Sequence, residues 1–248
     1  MENMEKQNEI DELFEQFEFP EYSSETKEVK RRKYLIVTTG QQGILFDKTV
    51  SNTAFYIYII LRASWKKDNI HEISTDTLMQ SANLKDARTL KDILKYFKKY
   101  NYLISDDDFS RIPKIITIQM QTEKQLYSEN QTWEQLDWET LQKLLRLNID
   151  HKLKHHALRL FCLYWATYDP KLGYSFVAQT SRANDKQTMF DMIPIKPALV
   201  KQINDLLQAN GLLIVKQFNK QFYNYNKGNN IYIPSNIIYW KHKSKNKE

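Results

Sequence analysis

STDTLMQSANLKDARTLKDILKYFKKYNYLI, residues 74–104, is the stretch whose reading decides the fold. Ser74 or Thr75 caps a short helix that runs through about Ser81, and Asn83-Leu84 makes a tight connection to the next one. From about Lys85 to Tyr100, Ala87, Leu90, Leu94 and Phe97 recur every three or four positions, which places them on one helix face with charges opposite. Tyr100-Asn101 stops that helix, and Tyr102-Leu103-Ile104 reads as a strand.

Upstream, Ser51 or Asn52 caps a helix to about Lys66 that is apolar almost all round (Phe55, Ile57, Ile59, Ile60, Leu61) and is therefore deeply buried. Before it, Tyr34–Val37 and Gly43–Phe46 read as two strands of a hairpin turning at Gly40, Gln41 and Gln42. Downstream, a polar turn through Asp106, Asp107, Asp108 and Ser110 leads to a return strand, Ile115–Met120. The order is helix, short helix, tight turn, helix, hairpin.

The chain repeats this order. With an offset of 109, Leu90, Leu94, Phe97, Leu103 and Ile104 fall on Leu199, Ile203, Leu206, Leu212 and Leu213, and the stop Tyr100-Asn101 has a counterpart in Asn210-Gly211. His151–Tyr168 is the long first helix of this second copy, with Leu153, Ala157, Leu160, Phe161, Tyr164 and Trp165 inward. Thr180–Lys186 is the candidate for its second helix, and Met189–Pro197 has two prolines and no clean period. Leu212–Phe218 and Ile231–Ile233 are its strands, around a polar and aromatic turn. The connector from Glu123 to about Leu147 reads as helix through Trp133, Leu136, Leu141, Leu144 and Leu145.

Residues 51–120 thus resemble the winged helix-turn-helix superfamily. Two copies joined by a structured connector resemble in layout the plasmid replication initiators, whose paired domains bind repeated origin sequences. Phage and plasmid primosome proteins that load helicase also carry a winged helix after a hairpin. The expected fold class is mostly α with small β-hairpin wings (α+β), as tandem winged-helix domains. The expected divisions are an acidic leader and basic hinge over 1–33, the hairpin and first winged helix over 34–122, and a connector over 123–147. The second winged helix covers 148–240 and a basic tail 241–248.

Composition narrows the classes. Five glycines and six prolines in 248 residues argue against turn-dense sandwiches and barrels and for long helices. The longest apolar run, Ala54–Leu61, is far short of the roughly 20 residues that span a bilayer, so the expectation is a soluble, cytoplasmic protein with no membrane partner. One cysteine, Cys162, excludes an intramolecular disulfide and a CxxC metal site. No GxxxxGK[ST] loop, GxGxxG, HExxH or histidine triad beside a tyrosine is present, so neither an enzyme nor a cofactor is expected. His155 and His156 are adjacent, point about 100° apart on a helix and cannot share a metal; with Lys152 and Lys154 near, they read as solvated. The acidic turn Asp106–Asp108 reads as a solvated loop.

What remains is polyanion binding. The helix face opposite Leu90 and Leu94 offers Lys85, Arg88, Thr89, Asp92, Lys95 and Tyr96, with Lys91 beside it for phosphates and Arg88 the best base reader, because its planar fork can take guanine O6 and N7 together. Lys98 and Lys99 suit phosphates. In the second copy Lys196, Lys201 and Gln202 occupy the corresponding face, and its wing supplies Lys216, Lys220, Tyr223 and Lys227 beside Phe222 and Tyr225. Lys241, Lys243, Lys245 and Lys247 add phosphate affinity. The expected activity is sequence-specific binding of double-stranded DNA in initiation of plasmid or mobile-element replication. Transcriptional regulation of such an element, or a protein-interaction and helicase-loading role, is the alternative.

Charge is divided unevenly. Residues 1–28 hold ten carboxylates and two lysines, net −8, which leaves +14 on residues 29–248. Within the acidic leader Ile10, Leu13, Phe14 and Phe17 form an i, i+3, i+4, i+7 stripe that ends at Pro20 and either packs on the chain itself or docks a protein partner. Lys30, Arg31, Arg32 and Lys33 follow as a hinge or a phosphate-contacting arm. The partners expected are double-stranded DNA, a protein reached through that stripe, and a second copy of the chain. Deleting residues 1–28 should strengthen binding to random DNA in a salt titration, since a −8 segment leaves a +14 body. Unchanged or weaker binding would favour partner docking by the leader instead.

Overall fold

The computed structural model describes residues 21–22, 29–30, 34–39, 43–64, 70–122, 125–126, 132–175, 177, 188–217 and 230–235. The stripe Ile10, Leu13, Phe14, Phe17, the residues Arg31–Lys33, the candidate helix Thr180–Lys186, the turn that holds Lys220, Tyr223 and Lys227, and the tail lie outside them. The protein is a mixed α/β chain of helices and small antiparallel sheets. In order these are β1 (Glu21–Tyr22), β2 (Val29–Lys30), β3 (Tyr34–Thr39), α1 (Asn52–Ala63), β4 (Ile70–Ser74), α2 (Thr75–Ser81), α3 (Ala87–Lys99) and β5 (Ile115–Gln119). There follow β6 (Thr132–Asp137), α4 (Trp138–Leu145), α5 (His151–Ala166), β7 (Tyr168–Asp169), β8 (Tyr174–Ser175), α6 (Met189–Met192), α7 (Pro197–Ala209), β9 (Leu213–Gln217) and β10 (Asn230–Pro234).

Short polar side chains start the helices by accepting an otherwise unpaired N–H of the first turn. Ser51 Oγ takes the N–H of Ala54 at 3.1 Å, Asp86 that of Arg88 at 2.8 Å, Asp137 that of Thr140 at 2.9 Å and Asp150 that of Leu153 at 3.1 Å. Three helices end alike. Asn83, Asn101 and Gly211 all have positive φ, and the N–H groups of Leu84, Tyr102 and Leu212 reach back five residues to the carbonyls of Met79, Phe97 and Leu207. Asn101 and Gly211 lie 110 residues apart, as do the buried Phe97 and Leu207 and the buried Leu90 and Val200. The repeat therefore runs at 110 over α3 and α7, not at the expected 109, and Leu199 and Leu206 are only partly buried. Ala87, expected inside, is exposed.

Sheet connectivity repeats as well. β4, after α1, pairs with β5, and β5 is bridged through Gln119 to Ile104, so the expected strand at residues 102–104 is reduced to one bridge. β8, after α5, pairs with β10, which pairs along its length with β9. The pairing of β4 with β5 and of β5 with Ile104 thus corresponds to that of β8 with β10 and of β10 with β9, and the later copy adds β7, which pairs with β8. The short α6, capped by Thr188 and Asp191 reciprocally, occupies the second-helix position of the later copy.

Two expectations fail where distant partners intervene. β3 pairs with β6, Tyr34 opposite Asp137 through Thr39 opposite Thr132, and not with residues 43–46. Part of the connector is accordingly strand: Trp133 and Leu136 lie in β6, and helix follows over Trp138–Leu145. Residues 44–50 are instead held as a turn by Arg159 of α5, whose side chain is fully buried. Its Nε donates to Leu45 O at 3.1 Å, its Nη1 to Val50 O at 2.5 Å, and its Nη2 to Leu45 O and Asp47 O, each at 2.8 Å, and to Ile44 O at 3.2 Å. The guanidinium also lies over the Phe55 ring, 5.2 Å from its centroid. Gly43 enters this turn so close to Thr39 that a Cβ would stand 2.5 Å from the Thr39 backbone.

α1 and α5 pack on each other, and the buried apolar residues of both copies join one continuous core. The histidines expected in solvent lie at this seam. His155 is buried against the Tyr56 ring at 4.3 Å with Nδ1 3.1 Å from Thr53 Oγ1, and His156 Nδ1 lies 2.7 Å from Asn52 Nδ2. Burial, with His151, His156 and Lys154 nearby, pushes His155 down to about 3, so its ring is neutral at physiological pH. Lys154, also buried, donates to Leu145 O at 3.1 Å and so closes the C-terminus of α4. Replacing Arg159 with Met would leave buried carbonyls of the 44–50 turn without donors. Arg159→Met should therefore cost about 3 kcal/mol or more in urea unfolding, and Arg159→Lys should recover only part of it; a loss below about 1 kcal/mol would mean that the turn holds itself.

Candidate nucleic-acid interface

α3 is amphipathic by construction. Leu90, Leu94 and Phe97 are fully buried, while Lys85, Arg88, Thr89, Asp92, Lys95 and Lys99 are exposed and Lys91 and Lys98 are half-buried. Of the residues expected to read DNA in the first copy, Lys85, Arg88, Thr89, Lys91 and Lys95 are thus gathered on one helix and its entry. From Lys85 to Lys99 the charges are six cations and two carboxylates, net +4. Arg88 stands in the first turn, one residue after the start of the helix, and is exposed.

Tyr96 does something else. Its hydroxyl donates to Asp47 Oδ2 at 2.7 Å and is close to Thr49 Oγ1, and the Tyr102 hydroxyl donates to the same Asp47 oxygen at 2.8 Å. Burial opposes ionisation of Asp47, but bonds from Thr49, Tyr96 and Tyr102 outweigh it and hold the carboxyl below its ordinary range. Asp47 belongs to the turn that Arg159 holds, so Tyr96 is the bolt by which α3 is fixed to that turn. Sequence reasoning placed Tyr96 on the binding face and missed Asp47 and Arg159. The available signal was an arginine within the otherwise apolar run Ala157–Trp165, where an unpaired charge is expensive.

The turn after α3 is ordered by its own acids. Asp107 accepts the N–H of Phe109 at 2.6 Å and Asp108 that of Ser110 at 2.7 Å, while Phe109, at a positive φ of 54°, plugs the core. Lys98 Nζ donates to Asp107 O at 2.8 Å, tying the helix to the turn. Asp108 is held below its ordinary range first by its bonds from Ser110 and, more weakly, by the positive charges of Lys95 and Lys98. Among the described residues no group of three or more His, Cys, Asp or Glu is placed to hold a metal ion.

In the second copy Lys196 is the cap residue of α7, and Lys201, Gln202 and Lys216 are exposed. They share their surface with Asp205, and an open groove of about 450 Å³ runs between α7 and the β9–β10 edge past Lys201, Asp205, Gln208 and Val215. Gln208 Oε1 accepts the N–H of Val215 at 3.2 Å, which ties helix to strand at the position equivalent to Lys98. Among the described residues no helix is long and apolar enough to cross a membrane. No protein-family model, curated protein or solved structure matches the chain.

If Tyr96 and Asp47 share one bond, Tyr96→Phe and Asp47→Asn should each lower stability by about 1–2 kcal/mol in urea unfolding. The double variant should lose clearly less than their sum. Additive losses would separate the two residues and return the Tyr96 hydroxyl to solvent.

Proposed function

We propose that the chain is a sequence-specific double-stranded DNA-binding protein of two winged-helix units, working in initiation of replication of a plasmid or other mobile element. The observation that carries this reading is an order that recurs with variation: α1, β4, α2, α3, the Ile104 bridge and β5 in the earlier copy, and α5, the β7–β8 hairpin, α6, α7, β9 and β10 in the later one, with β4 joined to β5 and β5 to Ile104 as β8 is to β10 and β10 to β9. In such a unit the third helix is the one that enters the major groove, which admits an α-helix and presents a distinct donor and acceptor pattern for each base pair. In the first unit that helix is α3, and its outward side chains supply both kinds of contact that DNA recognition needs. Lys85 and Lys91 neutralise phosphates and set register, while Arg88 and Thr89 reach base edges.

The role in replication rests on the layout of two units in one chain, which resembles that of plasmid initiators; a binding protein, not an enzyme, is the corresponding class. The test is to select bound fragments from the parent genome with the full chain. Iterated repeats beside an origin support the initiator reading, and a single promoter operator favours transcriptional control. Affinity for the selected fragment should fall steeply with salt, the slope being about −0.9 per phosphate neutralised. Binding that ignores salt would remove DNA as the ligand.

Within that assay Arg88→Ala should weaken the selected site by about 1–3 kcal/mol relative to random DNA, the worth of a bidentate base contact, with the unfolding midpoint unchanged. Equal losses on both DNAs would assign Arg88 to phosphate.

A further inference from the structure

We infer that the two units do unequal work on DNA: α3 enters the groove and reads sequence through its N-terminal half, while α7 stays outside it. This rests on the DNA-binding reading above and assigns the reading to one of two equivalent helices. The equivalence is fixed by backbone features, because the positive-φ stops at Asn101 and Gly211, the five-residue returns to Phe97 and Leu207, and the ties made by Lys98 and Gln208 all lie 110 residues apart. The exposed faces can therefore be compared position by position.

The comparison removes the cations. Arg88 is matched by Ala198, Lys95 by Asp205 and Lys99 by Ala209; Lys91 alone keeps its charge, as Lys201. Residues 85–99 carry a net +4, and residues 195–209, with Lys196, Lys201 and Asp205, carry +1. Ala198 and Ala209 offer no donor to a phosphate or a base edge, and Asp205 would face the backbone with a like charge. Of the candidates in the second unit, Lys201 sits one turn from Asp205 on the same face and Gln202 stands at the position of Asp92.

Within α3 the adjoining turn chooses the end that is used. Asp106 and Asp108 are exposed in the turn that follows the C-terminal end of α3, and Lys98 Nζ is engaged by the Asp107 carbonyl of that turn, so phosphates are repelled from that end. Lys85, Arg88 and Lys91 remain, at the N-terminal end.

Tethered DNA cleavage distinguishes the helices. Cys162 is buried, with its thiol pushed up to about 12, so an iron–EDTA reagent that alkylates thiols is directed to an introduced surface cysteine. Asp92→Cys and Gln202→Cys occupy equivalent exposed positions and are compared in the full chain on the selected fragment, after affinity titration of each conjugate. Ala87→Cys and Pro197→Cys repeat the comparison at the helix entries should either conjugate bind poorly. Strong cleavage inside the bound site from the α3 probes and little from the α7 probes is expected. Cleavage of similar strength from both helices, or stronger from α7, would overturn the division while leaving DNA binding intact. An unlabelled chain that binds no fragment would overturn the DNA reading and this inference with it.

Discussion

A single guanidinium, that of Arg159, determines how the first unit is assembled. Its carbonyl partners lie more than a hundred residues earlier in the chain, and bending residues 44–50 around it prevents them from becoming a strand. Burial lowers Arg159 to about 10, still far enough above neutrality for the charge to be retained, and no carboxylate bonds it directly. A buried charge is tolerated only when its hydrogen-bonding capacity is filled. Five donor contacts to carbonyls accomplish this, and the neighbouring Asp47 carboxylate and Phe55 ring add favourable electrostatics. The same turn then places Asp47, which accepts from Tyr96 and Tyr102, so the pose of α3 is set by a residue of the second unit's first helix. The two units are consequently one mechanical object, and the continuous core between α1 and α5 agrees with that.

Local signals were legible and distant ones were not. Helix starts at Ser51 and Ser74 follow from a short polar side chain ahead of an apolar period, and the stops at Asn101 and Gly211 follow from the left-handed backbone they adopt. Strand partners carry no such local mark. β4 pairs with β5 some forty residues later and β3 with β6 about a hundred later, and both choices depend on which faces the helices leave available. The offset error has a similar cause. Leu206 and Leu207, and Leu212 and Leu213, are adjacent apolar pairs, and at 110 Leu94 falls on the polar Asn204, so hydrophobicity alone favours 109. Asn204 is nevertheless buried, with the Tyr164 hydroxyl donating to its Oδ1 at 3.0 Å, and the backbone of the helix stop fixes the offset at 110.

The seam between the units shows how misleading a charge pattern can be when the helix is central. Lys152, Lys154, His155 and His156 read as a solvated stretch, yet Lys154 and His155 are buried. The lysine reaches a helix-end carbonyl with its ammonium, and the histidine gives up its proton, with an aromatic face and a hydroxyl as neighbours. Lys154 keeps a carbonyl partner and His155 one hydroxyl partner, and nothing in a single helix period encodes that.

The same distinction separates what folding demands from what binding demands. At equivalent positions Asn101 and Gly211 differ as residues but share a positive φ, and Lys98 and Gln208 differ as donors and acceptors but each ties its helix to the following segment. These positions answer to the backbone, which accepts any side chain that meets the geometry. The exposed positions Arg88, Lys95, Ala198 and Asp205 lie away from the caps and ties of the described residues, and exposed substitutions of that kind typically move stability by less than about 0.5 kcal/mol. A difference there, arginine against alanine or lysine against aspartate, is therefore free of folding constraint and carries information about what each surface meets. On that argument the net +4 of residues 85–99 against +1 of residues 195–209 supports the unequal roles proposed for α3 and α7, and the acidic turn beside α3 bears on which end of that charge a polyanion would approach.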